Sequence, residues 1–349
     1  MASLSKKLKL PLDTSVIVQS HTPFSELVHG PNTELKDKCV LVVGGDGNNC
    51  REVAERYYFE AFPFPFSFSP RYWALGAIAI CGAISNMSGL NRYGFKRVVV
   101  PGDIFMANPD IWEYARLFED YYKKFSRPLP NVDPLNPTKG PKIDAIFVFN
   151  DPRDWGLDMQ VIVDLLLSSQ GVIGTKSSKN NRSDLPNRGY QQDGQPALYF
   201  SNPDLIWAAA YHLPRLGQGA FREALEGVWT AISGGASKGV ELKKTVIGKP
   251  SHVTYEYAER QLIRNRTRFF GDQDSPLKKV YMIGDNPESD IRGANDYRSC
   301  HGTNWHSILV RTGVYNGGEP SCEPRTICDN VRTAVAFGLQ TSKWPITNV

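Results

Sequence analysis

Short β-branched apolar runs, each closed by glycine, proline or an Asn-Asp pair, punctuate this chain and leave few folds open to it. Cys39-Val40-Leu41-Val42-Val43 runs into Gly44-Gly45, Arg97-Val98-Val99-Val100 into Pro101-Gly102-Asp103, and Ile143 to Phe149 into Asn150-Asp151-Pro152. Val16-Ile17-Val18, Val280 to Ile283 and Ser307 to Val310 have the same character. Runs of this length without polar alternation are strands buried on both faces, the mark of a parallel sheet. Helical stretches are expected between them at Asp158 to Ser168, Pro203 to Tyr211 and Phe221 to Ser233. Strands alternating with helices imply α/β architecture.

At 349 residues the chain has room for two domains with separate cores. Its 41% hydrophobic and 22% charged residues are ordinary for a soluble globular protein. Forty basic residues against 36 acidic ones leave a net charge of only +4, and no Lys/Arg run is dense. That balance excludes a nucleic-acid or anionic-membrane footprint. The cysteines Cys39, Cys50, Cys81, Cys300, Cys322 and Cys328 form neither C-x-x-C nor a zinc-finger spacing, so a reduced intracellular compartment is expected. Met1 to Leu10 reads as the tail of a folded-domain helix, since a mitochondrial presequence would need Arg and more length. Residues 175–198 are polar and read as an exposed loop or hairpin. No oligomeric state is legible.

One segment fits nothing around it. Tyr57 to Arg92 begins with an aromatic and proline-rich stretch and continues as Trp73 to Leu90, which carries no charged residue. That length is at the lower limit for a membrane span, and the stretch contains Ser, Asn and several Gly, so none is expected. Arg-Tyr stands at both its edges, as Arg56-Tyr57 and Arg92-Tyr93. Joining Arg56 to Tyr93 gives Val-Ala-Glu-Arg-Tyr-Gly-Phe-Lys-Arg-Val-Val, a helix passing through a glycine stop into a strand. The segment therefore reads as a non-native insertion, an intron translated in frame.

Chemistry concentrates in Val280-Tyr-Met-Ile-Gly-Asp285-Asn-Pro-Glu-Ser-Asp290-Ile-Arg-Gly-Ala294. An apolar strand delivers Asp285 to its carboxyl end, where ligands collect in α/β sheets, and Asp290 returns at the start of the next helix. Two carboxylates there suit Mg2+, whose shell is completed by waters and phosphate oxygens. The bland alternative is that Asp290 caps the helix and Asp285 sits in a turn. Upstream, Val246-Ile-Gly248-Lys249-Pro250-Ser251 offers a compact cation before a helix N-terminus. Lys249 would neutralise a phosphoryl oxygen or a nucleophilic carboxylate, although a lysine in a surface turn is commoner.

Gly-Lys-Pro followed by a strand and Gly-Asp-Asn-x-x-Ser-Asp resembles motifs three and four of the haloacid dehalogenase-like hydrolases, subclass two-A. Ile17 to Phe24, Asn150 to Asp158 and Ser201 to Trp207 are similar more narrowly to the cat eye syndrome critical region protein five family, and the likeness spans nearly the whole chain outside Tyr57 to Arg92. The resemblance implies a Rossmann-like core, residues 1–38 and 236–349, with a large α/β cap inserted at 39–235. It also implies a Mg2+-dependent phosphatase acting on a small phosphate ester through an aspartyl-phosphate, with Lys249, Asp285 and Asp290 in the motif positions and a mitochondrial location.

The same family uses an Asp-x-Asp nucleophile and general acid on a first strand preceding the region that matches Ser5-Lys6-Lys7-Leu8. That strand and the next are expected to be missing from this polypeptide, leaving an incomplete core and no turnover. Asp272-Gln273-Asp274 has the spacing but lies in a polar connection, and Asp46 has no second acid two residues on. A metal- or ligand-binding pseudoenzyme is thus an alternative, and Gly44-Gly45-Asp46-Gly47 after a strand raises a weaker one, a nucleotide or lipid kinase. Asp151, Arg153, Asp154, Trp155 and Asp204 are candidates for contacting substrate from the cap. Alternatively, Arg153 pairs with Asp151 or Asp154 and Trp155 packs inside.

Overall fold

The computed structural model describes residues 18–29, 35–55, 93–130, 132, 136–207, 209–271 and 277–343. Met1 to Leu10, most of Val16-Ile17-Val18, Tyr57 to Arg92 and Asp272-Gln273-Asp274 lie outside these residues.

Five parallel strands form the larger sheet: β1 (Cys39–Val43), β2 (Arg97–Val99), β3 (Ala145–Val148), β4 (Ala197–Phe200) and, after two further short strands, β7 (Thr245–Val246). They lie in the order β2-β1-β3-β4-β7. Val40 pairs with Ala145 and Val43 with Val148, so the apolar runs stack in register. Leu41 and Val43 point into one core with Ile146, Val148, Leu198 and Phe200. Val40 and Val42 point into the other with Ala145, Phe147 and Phe149. Because successive side chains alternate between two dry faces, no position in β1 tolerates a polar residue.

Helices cover both faces. Helix α2 (Pro101–Ala107), α3 (Trp155–Leu167) and α4 (Gln218–Ser233) supply Phe105, Ile162, Leu166, Phe221 and Trp229 to the first core. The second core takes Ala54 from α1 (Asn49–Glu55), together with Tyr93, Phe95 and the Phe24 and Val28 of residues 22–29. Helix α3 starts three residues before the position expected from periodicity, because the Asp154 carboxylate caps it by accepting the Leu157 amide at 3.1 Å.

The described residues of 203–211 form no helix, contrary to expectation. Ile206–Trp207 (β5) pairs antiparallel with Arg215–Leu216 (β6). The carbonyls that would carry a helix are taken from outside: Asp204 O accepts the Gly219 amide and Leu205 O the Gly217 amide, each at 2.9 Å. Residues 175–198 are also more than an exposed loop. Ser177 and Tyr190 are buried, and the Asp193 carboxylate accepts the Ser177 hydroxyl at 2.7 Å and binds Lys179 at 3.0 Å.

The second sheet is a parallel set in the order β10-β9-β8, formed by β8 (Lys279–Gly284), β9 (Asn304–Val310) and β10 (Thr326–Cys328). Helix α5 (His252–Phe270) and the short α6 (Arg292–Asp296) pack on it around Tyr255, Val280, Met282, Tyr297 and Trp305, and α7 (Val331–Thr341) covers Ile308 and Val310. The larger sheet takes its edge strand β7 from beyond residue 235, so the segment joining the two sheets belongs to both. Arg260 of α5 reinforces the join with two hydrogen bonds to the Glu26 carboxylate, at 3.0 and 2.8 Å. Among the described residues, no helix is long and apolar enough to cross a membrane.

His21 sits inside the second core, 2.5 Å from the Tyr93 hydroxyl and stacked on Phe149. Burial lowers its pKa from 6.5 to about 4. The unfolded chain therefore binds more protons than the folded one between those two values. Stability from this residue is present above the unfolded pKa and is lost as pH falls, by up to ~3 kcal/mol at the folded pKa. Urea midpoints at pH 7 and pH 5 should show His21→Gln losing less stability on acidification than the parent; equal losses would refute a neutral buried imidazole.

Candidate functional site

Parallel strands present their carboxyl ends at one edge, and two of them bring the motif residues together. Strand β7 ends at Val246, close before Gly248-Lys249, and β8 ends at Gly284, directly before Asp285. A single π-turn, Pro287–Ile291, then returns Asp290 toward the tip of β8. Asp290 is 2% exposed, and its carboxylate accepts the Asn286 amide at 3.1 Å and forms an ion pair with the Lys249 ammonium. This approach depends on Gly284, where a Cβ would lie 2.2 Å from Asp290 Oδ2. Any side chain there would push the carboxylate away from Lys249.

Helix α5 holds both loops through adjacent residues of its first turn. Thr254 Oγ1 accepts the Gly248 amide at 2.9 Å. The Tyr255 hydroxyl donates to the carbonyls of Asp290 at 2.9 Å and Ser289 at 3.2 Å. Neither residue was singled out from sequence, although their position, one helical turn after Gly-Lys-Pro, was a usable signal. Asp285 is fixed from the other side: its carboxylate accepts the Val314 amide at 2.7 Å, and its carbonyl accepts the Tyr315 amide at 2.9 Å.

Of the cap candidates, Asp204 is within electrostatic reach of Lys249 and Asp290. Burial pushes the Asp204 carboxyl up, Lys249 opposes that shift, and Asp290 and Asp151 add to it. Burial likewise raises Asp151, with Arg153 opposing. Arg153 itself is exposed and donates to the Asp151 carbonyl at 2.8 Å rather than to a carboxylate. Asp154 is occupied in capping α3 and in accepting the Tyr122 hydroxyl at 2.7 Å. The Trp155 indole donates to the Pro152 carbonyl at 3.2 Å and packs edge-on against Phe221. In the glycine-rich turn after β1, the Gly45 amide donates to the Asp151 carbonyl at 3.1 Å, so it is spent on the neighbouring loop rather than directed at a phosphate.

Asp285 and Asp290 are hard oxygen donors at one strand tip, a set that fits Mg2+ with waters and phosphate oxygens supplying the remaining positions. Among the described residues no three His, Cys, Asp or Glu side chains cluster as metal ligands.

The family model described as HAD-hydrolase-like matches residues 246–334, which include Lys249, Asp285 and Asp290. A mitochondrial hydrolase of Saccharomyces cerevisiae is 32% identical over 97% of this chain and 81% of its own length. A cardiolipin synthase (CMP-forming)/mitochondrial hydrolase fusion protein of Schizosaccharomyces pombe is 34% identical over 96% of this chain, which spans 44% of that longer protein. Among solved structures, a possible sugar phosphatase of the HAD superfamily from Cytophaga hutchinsonii aligns with a TM-score of 0.48 at 12% identity, covering 96% of this chain and 76% of that one.

A double-mutant cycle on Lys249→Met and Asp290→Asn, read by urea denaturation, should give a coupling energy of ~1–3 kcal/mol. Additive single effects would mean that the two groups do not form the pair described.

Proposed function

Because the chain belongs to the haloacid dehalogenase-like hydrolases, we propose that the strand tips carrying Lys249, Asp285 and Asp290 form the phosphate- and metal-binding half of a Mg2+-dependent phosphatase site. The observation that carries this reading is the part-buried ion pair between Lys249 and Asp290, formed where β8 leads into Asp285. A desolvated ammonium already held by one carboxylate has its charge fixed in place, ready to face a phosphoryl oxygen without reorganisation. Asp285 and Asp290 would hold Mg2+, which would supply further positive charge against the phosphate. Asp204 and Asp151, at the carboxyl ends of β4 and β3, would accept hydrogen bonds from hydroxyls of a small, polar leaving group. Exposed Arg153 would act at the outer end of such a substrate. The names of the two yeast relatives support a mitochondrial location.

Covalent hydrolysis through an aspartyl-phosphate needs a carboxylate aimed at phosphorus, and orientation of that group supplies much of the rate. The sequence contains one Asp-x-Asp, Asp272-Gln273-Asp274, and it lies outside the described residues. Among the described residues β8 has a partner on one edge only, β9. In this reading the polypeptide of this sequence binds Mg2+ and phosphate but does not turn over.

Calorimetry should show Mg2+-dependent binding of inorganic phosphate that is lost in Asp285→Ala, together with no hydrolysis of p-nitrophenyl phosphate by the purified chain. Absence of binding would overturn the site. Mg2+-dependent hydrolysis abolished by Asp285→Ala would overturn the missing nucleophile.

A further inference from the structure

The end of α1 carries an observation that the site does not explain. Its last turn is completed by residues far along the chain: the Tyr93 amide donates to the Val53 carbonyl at 2.8 Å, and the Phe95 amide to the Ala54 carbonyl at 2.9 Å. Take residues 57–92 out of the count and Tyr93 follows Arg56 directly. Tyr93 then stands four positions after Val53 and Phe95 five after Ala54. The first bond has the register of an α-helix. The second is the outer bond of a Schellman motif, in which the residue between cap and second flank is left-handed. Gly94 holds that position with φ of 77°. Helix, cap and stop are thus assembled in the registers of an uninterrupted chain.

Packing follows the same register. Ala54, Tyr93 and Phe95 are each at most 1% exposed and share one core with Val40, Phe147 and Phe149. Upstream, Arg51 fixes the helix through a buried ion pair with Asp103 at 2.6 Å. Helix α1 leaves the carboxyl end of β1 and returns to the start of β2, so its last turn lies at the sheet edge opposite Gly248-Lys249.

We infer that Tyr57–Arg92 is an insertion placed within the last turn of α1, and that the protein closes the same fold without it. The inference is independent of the proposed activity, since it rests on backbone registers at the end of α1. Closing a turn across a long excursion has an entropic cost that grows with its length, so removal in register should stabilise the protein.

Three forms test this: the full chain, a deletion of 57–92, and a deletion of 57–90 that keeps Asn91-Arg92 and shifts the register by two. The 57–92 deletion should unfold at least as high as the full chain, and higher by a few degrees, with the Tyr93 and Phe95 amides protected from hydrogen exchange. The 57–90 deletion should melt lower than the in-register form, with those amides exchanging faster. The inference is overturned if the 57–92 deletion fails to fold or melts below the full chain. It is equally overturned if the two deletions are indistinguishable.

Discussion

A part-buried lysine paired with a buried aspartate joins the two sheets where their strands end. Lys249 follows β7 of the larger sheet and Asp290 follows β8 of the smaller, and the side chains are 14% and 3% exposed. Desolvating two charges costs several kcal/mol each, and a buried pair adds little over an apolar contact of the same volume. Stability alone does not account for such a pair at the carboxyl edge of both sheets. The chain nevertheless arranges much around it: Gly284 leaves room for the carboxylate, while Thr254 and Tyr255 fasten the two loops to one helix. Under the proposed function, the arrangement keeps an ammonium and two carboxylates oriented before any phosphate arrives.

The strands were legible because their environment is uniform. Leu41 and Val43 face one core, Val40 and Val42 the other, and a strand dry on both faces can only be written as an unbroken apolar run. The hairpin of β5 and β6 was misread as helix because Leu205, Ile206 and Trp207 carry no period that separates the two states over so short a length. Its conformation is decided at a distance, by the amides of Gly217 and Gly219 reaching the Leu205 and Asp204 carbonyls. No local pattern encodes those partners.

For the site, the chain-local part was readable and the supporting part was not. Lys249 and Asp290 meet as the motif spacing implies, with Asp285 at the same strand tip. Thr254 and Tyr255 went unnoticed because their role depends on how α5 lies across two loops. Asp154 and Trp155 drew attention through their company of acids and arginine, yet the fold uses them as a helix cap and a core contact. Polar residues after a strand serve capping as often as chemistry, and the hydrogen-bond partners separate the two uses.

The most direct test of the account is anomalous diffraction from crystals grown with Mn2+, a stand-in for Mg2+, and inorganic phosphate. The account predicts one Mn2+ peak with carboxylate oxygens of Asp285 and Asp290 at about 2 Å, and a phosphate oxygen about 3 Å from the Lys249 amine. Mn2+ bound elsewhere, or a phosphate that leaves Lys249 in contact with Asp290 alone, would contradict it.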